Sequence, residues 1–296
     1  MNLNLKNPLV GLPMVTSFNS KDEVDYDAAA KNVEKWIKEP VDAFIIGTHA
    51  GEEFYLSEEE RVKLLSVVTD TLTGDQFSVG GIDSPSVFET LRQAENYAKA
   101  GASLLRIRFP RNEETVVEYF QEVIKNSPLP ILMMHQAEPS SYGVAPKPAA
   151  RPEIIGSLVS MDGVFGYVTD HDMRFESTVR RYVPQDKNFW ICNGSMILLG
   201  TLIGCNGTTT AFTNIWPSAL KKLLHIGISG DYESGKDLQE KIKRIDELML
   251  PYQTAGIKFC LSLMGFHGMI PRNPGKIIPD EIKKNIQIEL ENSGLI

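Results

Sequence analysis

Short apolar runs alternate with longer amphipathic stretches from the N-terminus to about residue 228. The runs Leu9–Thr16, Ala43–Thr48, Phe77–Ile82, Leu104–Phe109, Ile131–Met134, Gly163–Val168, Phe189–Asn193 and Gly207–Ala211 predict eight strands. Each is followed by a helical pattern or by a loop able to lead into one. Strands alternating with helices imply crossover connections and parallel pairing. Eight such units predict a closed (β/α)₈ TIM barrel over residues 1–228. Ser57 with Glu60, and Ser86 with Glu89, have the spacing of capping boxes at helix starts. Leu64, Leu65, Val68 and Leu72 then repeat at helical spacing, as do Val87, Leu91, Ala94 and Ala98, and both stripes are expected to face the barrel.

After the eighth strand the alternation stops. Pro217–Gly227, Asp231–Leu250, Thr254–Phe266 and Pro279–Asn292 read as helices, with no strand among the last three. Residues 229–296 are therefore expected to form a helical extension packed on the barrel.

Composition narrows the class of protein. A chain of 296 residues, 42% of them hydrophobic, can bury a sizeable core, and a barrel of this length forms one domain. A net charge of -8 argues against non-specific binding to nucleic acid or anionic membrane. The opening residues lack the pattern of a signal peptide, and no run of about 20 apolar residues occurs. Cys192, Cys205 and Cys260 are odd in number and widely spaced, with no CxxC pair, which suits a reducing cytoplasm better than a disulfide framework.

In a barrel of this type the pocket lies at the C-terminal ends of the strands. On the fourth strand, alternation assigns Leu105, Ile107 and Phe109 to the helix-covered face and Arg106 and Arg108 to the interior. Buried unpaired charge is costly. The pair therefore either joins an internal ion pair with Asp83, Glu52 or Asp170, or forms a fork for a ligand carboxylate or phosphate.

His49, His135 and His171 map to the ends of strands two, five and six, with Asp170 and Asp172 flanking His171. His49, His135 and Asp170 are candidate acid–base groups. Glu52, His171 and Asn193 are candidate ligand contacts beside the two arginines. The alternatives are loop residues bonded to backbone without a role, or a divalent metal held by two or three of the histidines with Asp170 or Glu52. No HxH or HExxH spacing supports a metal, and no cofactor is expected. Gly80-Gly81 admits close packing or a ligand, and a hydroxyl of Thr208-Thr209-Thr210 could face the pocket.

Nearly the whole chain resembles the dihydrodipicolinate synthase/N-acetylneuraminate lyase family. Gly11–Phe18 is similar to the family's first strand and loop. Gly51-Glu52, Leu56-Ser57 and Glu59-Glu60-Arg61 resemble its Gly-Thr-Thr-Gly-Glu motif and following helix start. Gly204-Cys205-Asn206-Gly207, Pro217, Gly230-Asp231, Lys258, Gly265 and Pro271-Arg272 fall in the expected order beyond. The departures fall on the chemistry. The family forms an imine between a sixth-strand lysine and pyruvate; here Val168 occupies that position, and no lysine occurs between Lys147 and Lys187. Met134 stands where the family has a tyrosine, and His49 and Ala50 where it has two threonines. The resemblance implies a homotetramer or homodimer that takes a small carboxylic acid. It implies either a lyase acting on an oxo- or hydroxy-acid without the imine, or a non-catalytic descendant that binds such an acid as a sensor.

Overall fold

The computed structural model describes residues 7–110, 114–136, 148–170 and 172–296, with backbone only at Gln136 and Asp170. Eight parallel strands close into a barrel in sequence order. They are β1 (Leu9–Pro13), β2 (Ala43–Ile46), β3 (Phe77–Ile82), β4 (Leu104–Arg108), β5 (Ile131–Gln136), β6 (Val164–Asp170), β7 (Asn188–Ile191) and β8 (Gly207–Thr209). The helices of the crossovers are α1 (Tyr26–Trp36), α2 (Glu58–Thr71), α3 (Val87–Lys99), α4 (Val116–Asn126), α5 (Pro152–Val159), α6 (Met173–Val179), α7 (Ile197–Leu202) and α8 (Pro217–Ser229). All eight expected strands are present. β1 ends three residues short of its apolar run, and β2, β7 and β8 end two short, because the chain there already turns into the loops of the barrel mouth. β5 and β6 end two residues later than expected.

Alternation along the strands divides the core in two. Ala43, Ile45, Phe77, Val79, Leu104, Leu132, Phe165, Val168 and Trp190 fill the barrel interior. Phe44, Ile46, Leu105, Ile107, Met133, Tyr167 and Ile191 pack outward under the helices. Glycine sets the closest approaches. A Cβ at Gly80 would lie 2.5 Å from the Tyr97 ring, and one at Gly81 only 2.0 Å from the Gly47 carbonyl oxygen. This pair serves close packing.

Helix starts follow the local chemistry, with one correction. Ser57 and Glu60 form a reciprocal capping box. Ser86 accepts from the Glu89 amide, but the Glu89 carboxylate turns away to Arg92 and Gln93, so only half of that box forms. The buried stripe of α3 is also displaced. It runs through Thr90, Gln93, Ala94 and Tyr97, rather than through Val87, Leu91 and Ala98. The cleft over Gly80 takes the Tyr97 ring and so sets the helix rotation.

Beyond the barrel lie α9 (Tyr232–Met249), α10 (Thr254–Leu263) and α11 (Asp280–Asn292). Their Ile242, Ile245, Met249, Cys260, Leu261, Ile286 and Leu290 join the same buried cluster as the outer barrel face. Among the described residues no helix is long and apolar enough to cross a membrane.

Gly81→Ala should lower stability by at least about 1–3 kcal/mol, the usual cost of forcing atoms into a filled core. The backbone oxygen it meets cannot swing aside. Urea denaturation of the two proteins measures the difference.

Candidate functional site

A cavity of about 540 Å³ opens over the C-terminal ends of the strands. Pro13, Ile45, Met134 and Cys192 supply apolar surface from the barrel, and Thr209 and Thr210 add hydroxyls at the end of β8. Asp246, Met249, Leu250, Gln253, Thr254 and Ile257 close it from α9 and the segment into α10. Two anchors hold this cover in place. Gln239 donates to the Gly194 carbonyl at 2.9 Å and accepts from the Leu198 amide at 3.1 Å, and Thr254 donates to the Ala50 carbonyl at 3.3 Å.

Arg106 and Arg108 point into the cavity from β4, each nearly fully buried. Between them lies Glu53, in the short 3₁₀ turn Glu53–Tyr55. Arg106 Nη2 donates to Glu53 Oε2 at 3.2 Å and to the Gly47 carbonyl; Arg108 Nη2 donates to Glu53 Oε1 at 2.9 Å. Arg108 Nη1 also pairs with Asp83. Burial alone would raise the Glu53 carboxyl, but the charges and hydrogen bonds of Arg108 and Arg106 together hold it below the usual glutamate value. The two arginines are not equivalent. Arg108 is engaged on both terminal nitrogens. Arg106 uses only Nη2, and its buried Nε and Nη1 make no hydrogen bond among the described residues.

Glu52 turns the other way. It adopts φ 60, in the left-handed region, at a cost of about 1–2 kcal/mol for a residue with a side chain. Its carboxylate pairs with the fully buried Lys258 and accepts from the Arg272 amide at 2.9 Å. Glu52 therefore lies outside the cavity lining, in a tie between the β2 loop and α10, and its expected ligand contact is corrected. Desolvation lowers Lys258 to about 8, although Glu52 opposes the shift.

The remaining candidates divide. His49 lines the cavity, half-buried, with its Nδ1 unpartnered and its ring edge-on to Phe54 at 6.2 Å. Asn193 lines it too, and its Oδ1 accepts from the Ser195 amide at 3.0 Å. His135 does not. Alternation along β5 sends Met134 inward and His135 outward, so the expectation of a pocket-facing His135 is corrected. Its ring sits between barrel and helices against Phe109, Tyr167 and Phe175, with Nδ1 3.5 Å from the buried Glu176 and Nε2 accepting from the Ala149 amide. His49 and His135 thus cannot share a metal. Among the described residues no group of three or more metal-ligating side chains converges. His171 and the Asp170 side chain lie outside the described residues.

The strand reading missed Glu53, Ser195 and Asp246. Ser195 Oγ donates to Asp246 Oδ2 at 2.7 Å. Burial raises the Asp246 carboxyl, Glu247 adds to the shift, and the Ser195 bond opposes it. A signal for Asp246 existed: it interrupts the apolar stripe Ile242, Ile245, Met249 of α9.

The model of the dihydrodipicolinate synthetase family matches residues 9–293. The 4-hydroxy-tetrahydrodipicolinate synthase of Archaeoglobus fulgidus is 25% identical over 291 residues, covering 96% of this chain and 97% of that protein. Among solved structures, a monomeric dihydrodipicolinate synthase variant has a TM-score of 0.88 at 20% identity, covering 99% of this chain and 98% of its own. A chloride-inhibited dihydrodipicolinate synthase from Acinetobacter baumannii, complexed with pyruvate, has a TM-score of 0.86 at 16% identity, covering 98% and 100%. At these identities the structural likeness speaks for the barrel fold.

Glu53→Gln removes the anion between two buried guanidinium groups and should destabilise the fold by on the order of 3–5 kcal/mol near neutrality. Because the folded-state pKa of Glu53 is lowered, its contribution is present above the ordinary glutamate range and is lost as pH falls through the folded value. Urea unfolding between neutral and acidic pH should show a shallower acid loss in the variant than in the wild type.

Proposed function

Because this chain belongs to the dihydrodipicolinate synthetase family, a family of lyases and aldolases, we propose that it acts as a lyase on a small oxo- or hydroxy-acid without the family's lysine imine. One observation carries the reading: the guanidinium groups of Arg106 and Arg108 lie in the lining of an otherwise largely apolar cavity over the barrel mouth. A guanidinium edge fits a carboxylate, and its charge is already countered by Glu53, so it need not be held by another protein anion. His49, the half-buried imidazole of the lining, is one group placed to move a proton to or from the ligand. Asn193 contributes polar contact at the end of β7, and Arg108 holds Glu53 and thereby Arg106. Asp170 and His171 stay assigned as in the sequence reading, as acid–base group and ligand contact at the end of β6.

Chemistry speaks against an imine at the family's position. Val168 is fully buried in the barrel, flanked in the sheet by Met134 and Trp190. A hydrocarbon cannot add to a ketone. Among the described residues no lysine lines the cavity, and the buried Lys258 is committed to Glu52 and the Ile270 carbonyl.

A thermal-shift screen of short oxo- and hydroxy-acids tests the reading. An acid at 100 times its Kd stabilises by about 2.7 kcal/mol. Arg106→Lys keeps the charge opposite Glu53 but loses the planar fork, so it should fold and lose most of the shift. A wild-type protein that ignores every acid, or a variant that keeps the full shift, would sink the proposal. Pyruvate with borohydride should leave the intact mass unchanged; an adduct mapped to any cavity lysine would restore an ordinary imine enzyme.

We also propose a homotetramer or homodimer. The exposed Met196, Leu199 and Leu202 around α7 provide apolar surface for a second copy. Light scattering at micromolar concentration should give a mass of two or four chains, and a mass of one chain would count against it.

A further inference from the structure

The floor of the cavity on the side of β5 to β7 is hydrocarbon and thiol. The cluster that fills the barrel interior, Val168 and Trp190 included, reaches the cavity there through Met134 and Cys192, which pack on it and are only partly buried. A free cysteine behaves as a small apolar group. The cover adds Met249, Leu250 and Ile257. Leu250 is 64% exposed. Phe54, 49% exposed, sets its ring edge-on to that of His49, with centroids 6.2 Å apart. Apolar surface is thus open at the floor and again at the rim.

Many polar groups of the lining are committed to the protein itself. The Phe212 amide donates to Thr210 Oγ1 at 3.4 Å, the Ser195 amide donates to Asn193 Oδ1 at 3.0 Å, and Thr254 Oγ1 donates to the Ala50 carbonyl at 3.3 Å. Glu53 and Asp83 balance the two arginines. Asp246, 7% exposed, accepts from Ser195 Oγ at Oδ2, and among the described residues no cation pairs with it. Its charge repels an anion brought into the same space, and more strongly than it would in water. The space itself is large: at about 540 Å³ it falls among cavities that enclose drug-sized ligands, far more than pyruvate fills.

We propose that the ligand is a monocarboxylic 2-oxo or 2-hydroxy acid with an extended apolar chain, laid over Met134 and Cys192 toward Met249 and Leu250, and that Asp246 turns away acids carrying a second carboxylate. The inference rests on the proposed function above and adds the substituent that the acid carries. An apolar chain removes the open surface of Met134, Cys192 and Leu250 from water. It asks for no hydrogen bonds from a lining whose polar groups are largely spent. A charged or hydroxylated chain would lose its water and gain few partners.

The test is a calorimetric titration of the intact protein with straight-chain 2-oxo acids from pyruvate to 2-oxohexanoate, and with 2-oxoadipate, which has the chain of 2-oxohexanoate and a second carboxylate at its end. Kd should fall with each added methylene by up to about fourfold, the value for full burial. 2-Oxoadipate should bind more weakly than 2-oxohexanoate by on the order of tenfold or more. Asp246→Asn keeps the size of the side chain and should narrow that gap while the trend with chain length persists. Met134→Gln places an amide in the floor and should flatten the trend. Leu250→Ser, at an exposed rim position that the fold does not depend on, should flatten it in part. An affinity that ignores chain length, or a 2-oxoadipate that matches 2-oxohexanoate, overturns the inference and leaves the acid-binding reading standing. A trend that survives both Met134→Gln and Leu250→Ser puts the chain elsewhere and overturns it as well. A wild type that binds none of these acids, nor their 2-hydroxy counterparts, overturns the acid-binding reading and this inference with it.

Discussion

The site depends on one buried arrangement: Glu53 held between Arg106 and Arg108 at the mouth of the barrel. Two guanidinium groups on the inner face of one strand could not be buried without an anion between them. Glu53 reaches that place only because the chain turns sharply at Glu52, in a left-handed conformation that costs energy. The cost is offset where Glu52 itself lands, against Lys258 and the Arg272 amide. Adjacent carboxylates thus go to opposite sides of one loop. One neutralises the barrel interior, and the other ties the loop to the C-terminal helices.

That tie makes the cavity composite. Lys258 on α10 is bound to Glu52, Thr254 on the same helix meets the Ala50 carbonyl, and Gln239 on α9 is bound to the turn after β7. The helices that close the cavity are therefore pinned to the loops carrying His49, Glu53 and Ser195. A change at Lys258, which touches no ligand, would reach the site by freeing Glu52 to adopt another backbone conformation and so moving Glu53. Arg106 is the end point of that chain. Its Nη2 is fixed by Glu53 and the Gly47 carbonyl, which holds the guanidinium in the wall of the cavity. The close approach of Gly81 to Gly47 leaves room for that hydrogen bond and for no side chain in between.

Where periodicity alone decides, the sequence was legible. The eight strands, their order, the helical extension and the inward aim of Arg106 and Arg108 all follow from alternation between two faces. The same rule, applied to β5, places Met134 inside and His135 outside, so a histidine at a strand end need not face the pocket. The choice between Glu52 and Glu53 was not legible, because it turns on a single backbone dihedral that no spacing encodes. Asp246 was legible in part, as a charge within an apolar stripe, but its partner Ser195 is 51 residues away. Pairing them requires knowing that α9 folds back over the barrel mouth. The rotation of α3 was hidden for a similar reason: Tyr97 is steered by a missing side chain at Gly80 on another element.

The interior around Val168 bears on how the chemistry could have moved. Val168, Met134 and Trp190 adjoin one another across three strands, with Cys192 packed beside them. This wall is uniformly apolar, and a lysine placed at Val168 would bring an ammonium into it at a desolvation cost. On the proposed reading, a lysine and a tyrosine have therefore been exchanged as a set for hydrocarbon. Single reversion would restore an amine without its proton-transfer partner or its solvation. The ionisable groups of the described cavity lie elsewhere: on β4 as a charge-balanced arginine pair, on the β2 loop as His49, and on α9 as Asp246. A carbonyl bound against Arg106 would be activated by a neighbouring positive charge, in the place of a positive charge generated on the substrate by imine formation. Both routes stabilise the same developing electron pair. The second requires a nucleophilic amine on the barrel wall; the first requires only a buried cation held beside the bound carbonyl, as the Glu53 arrangement holds Arg106.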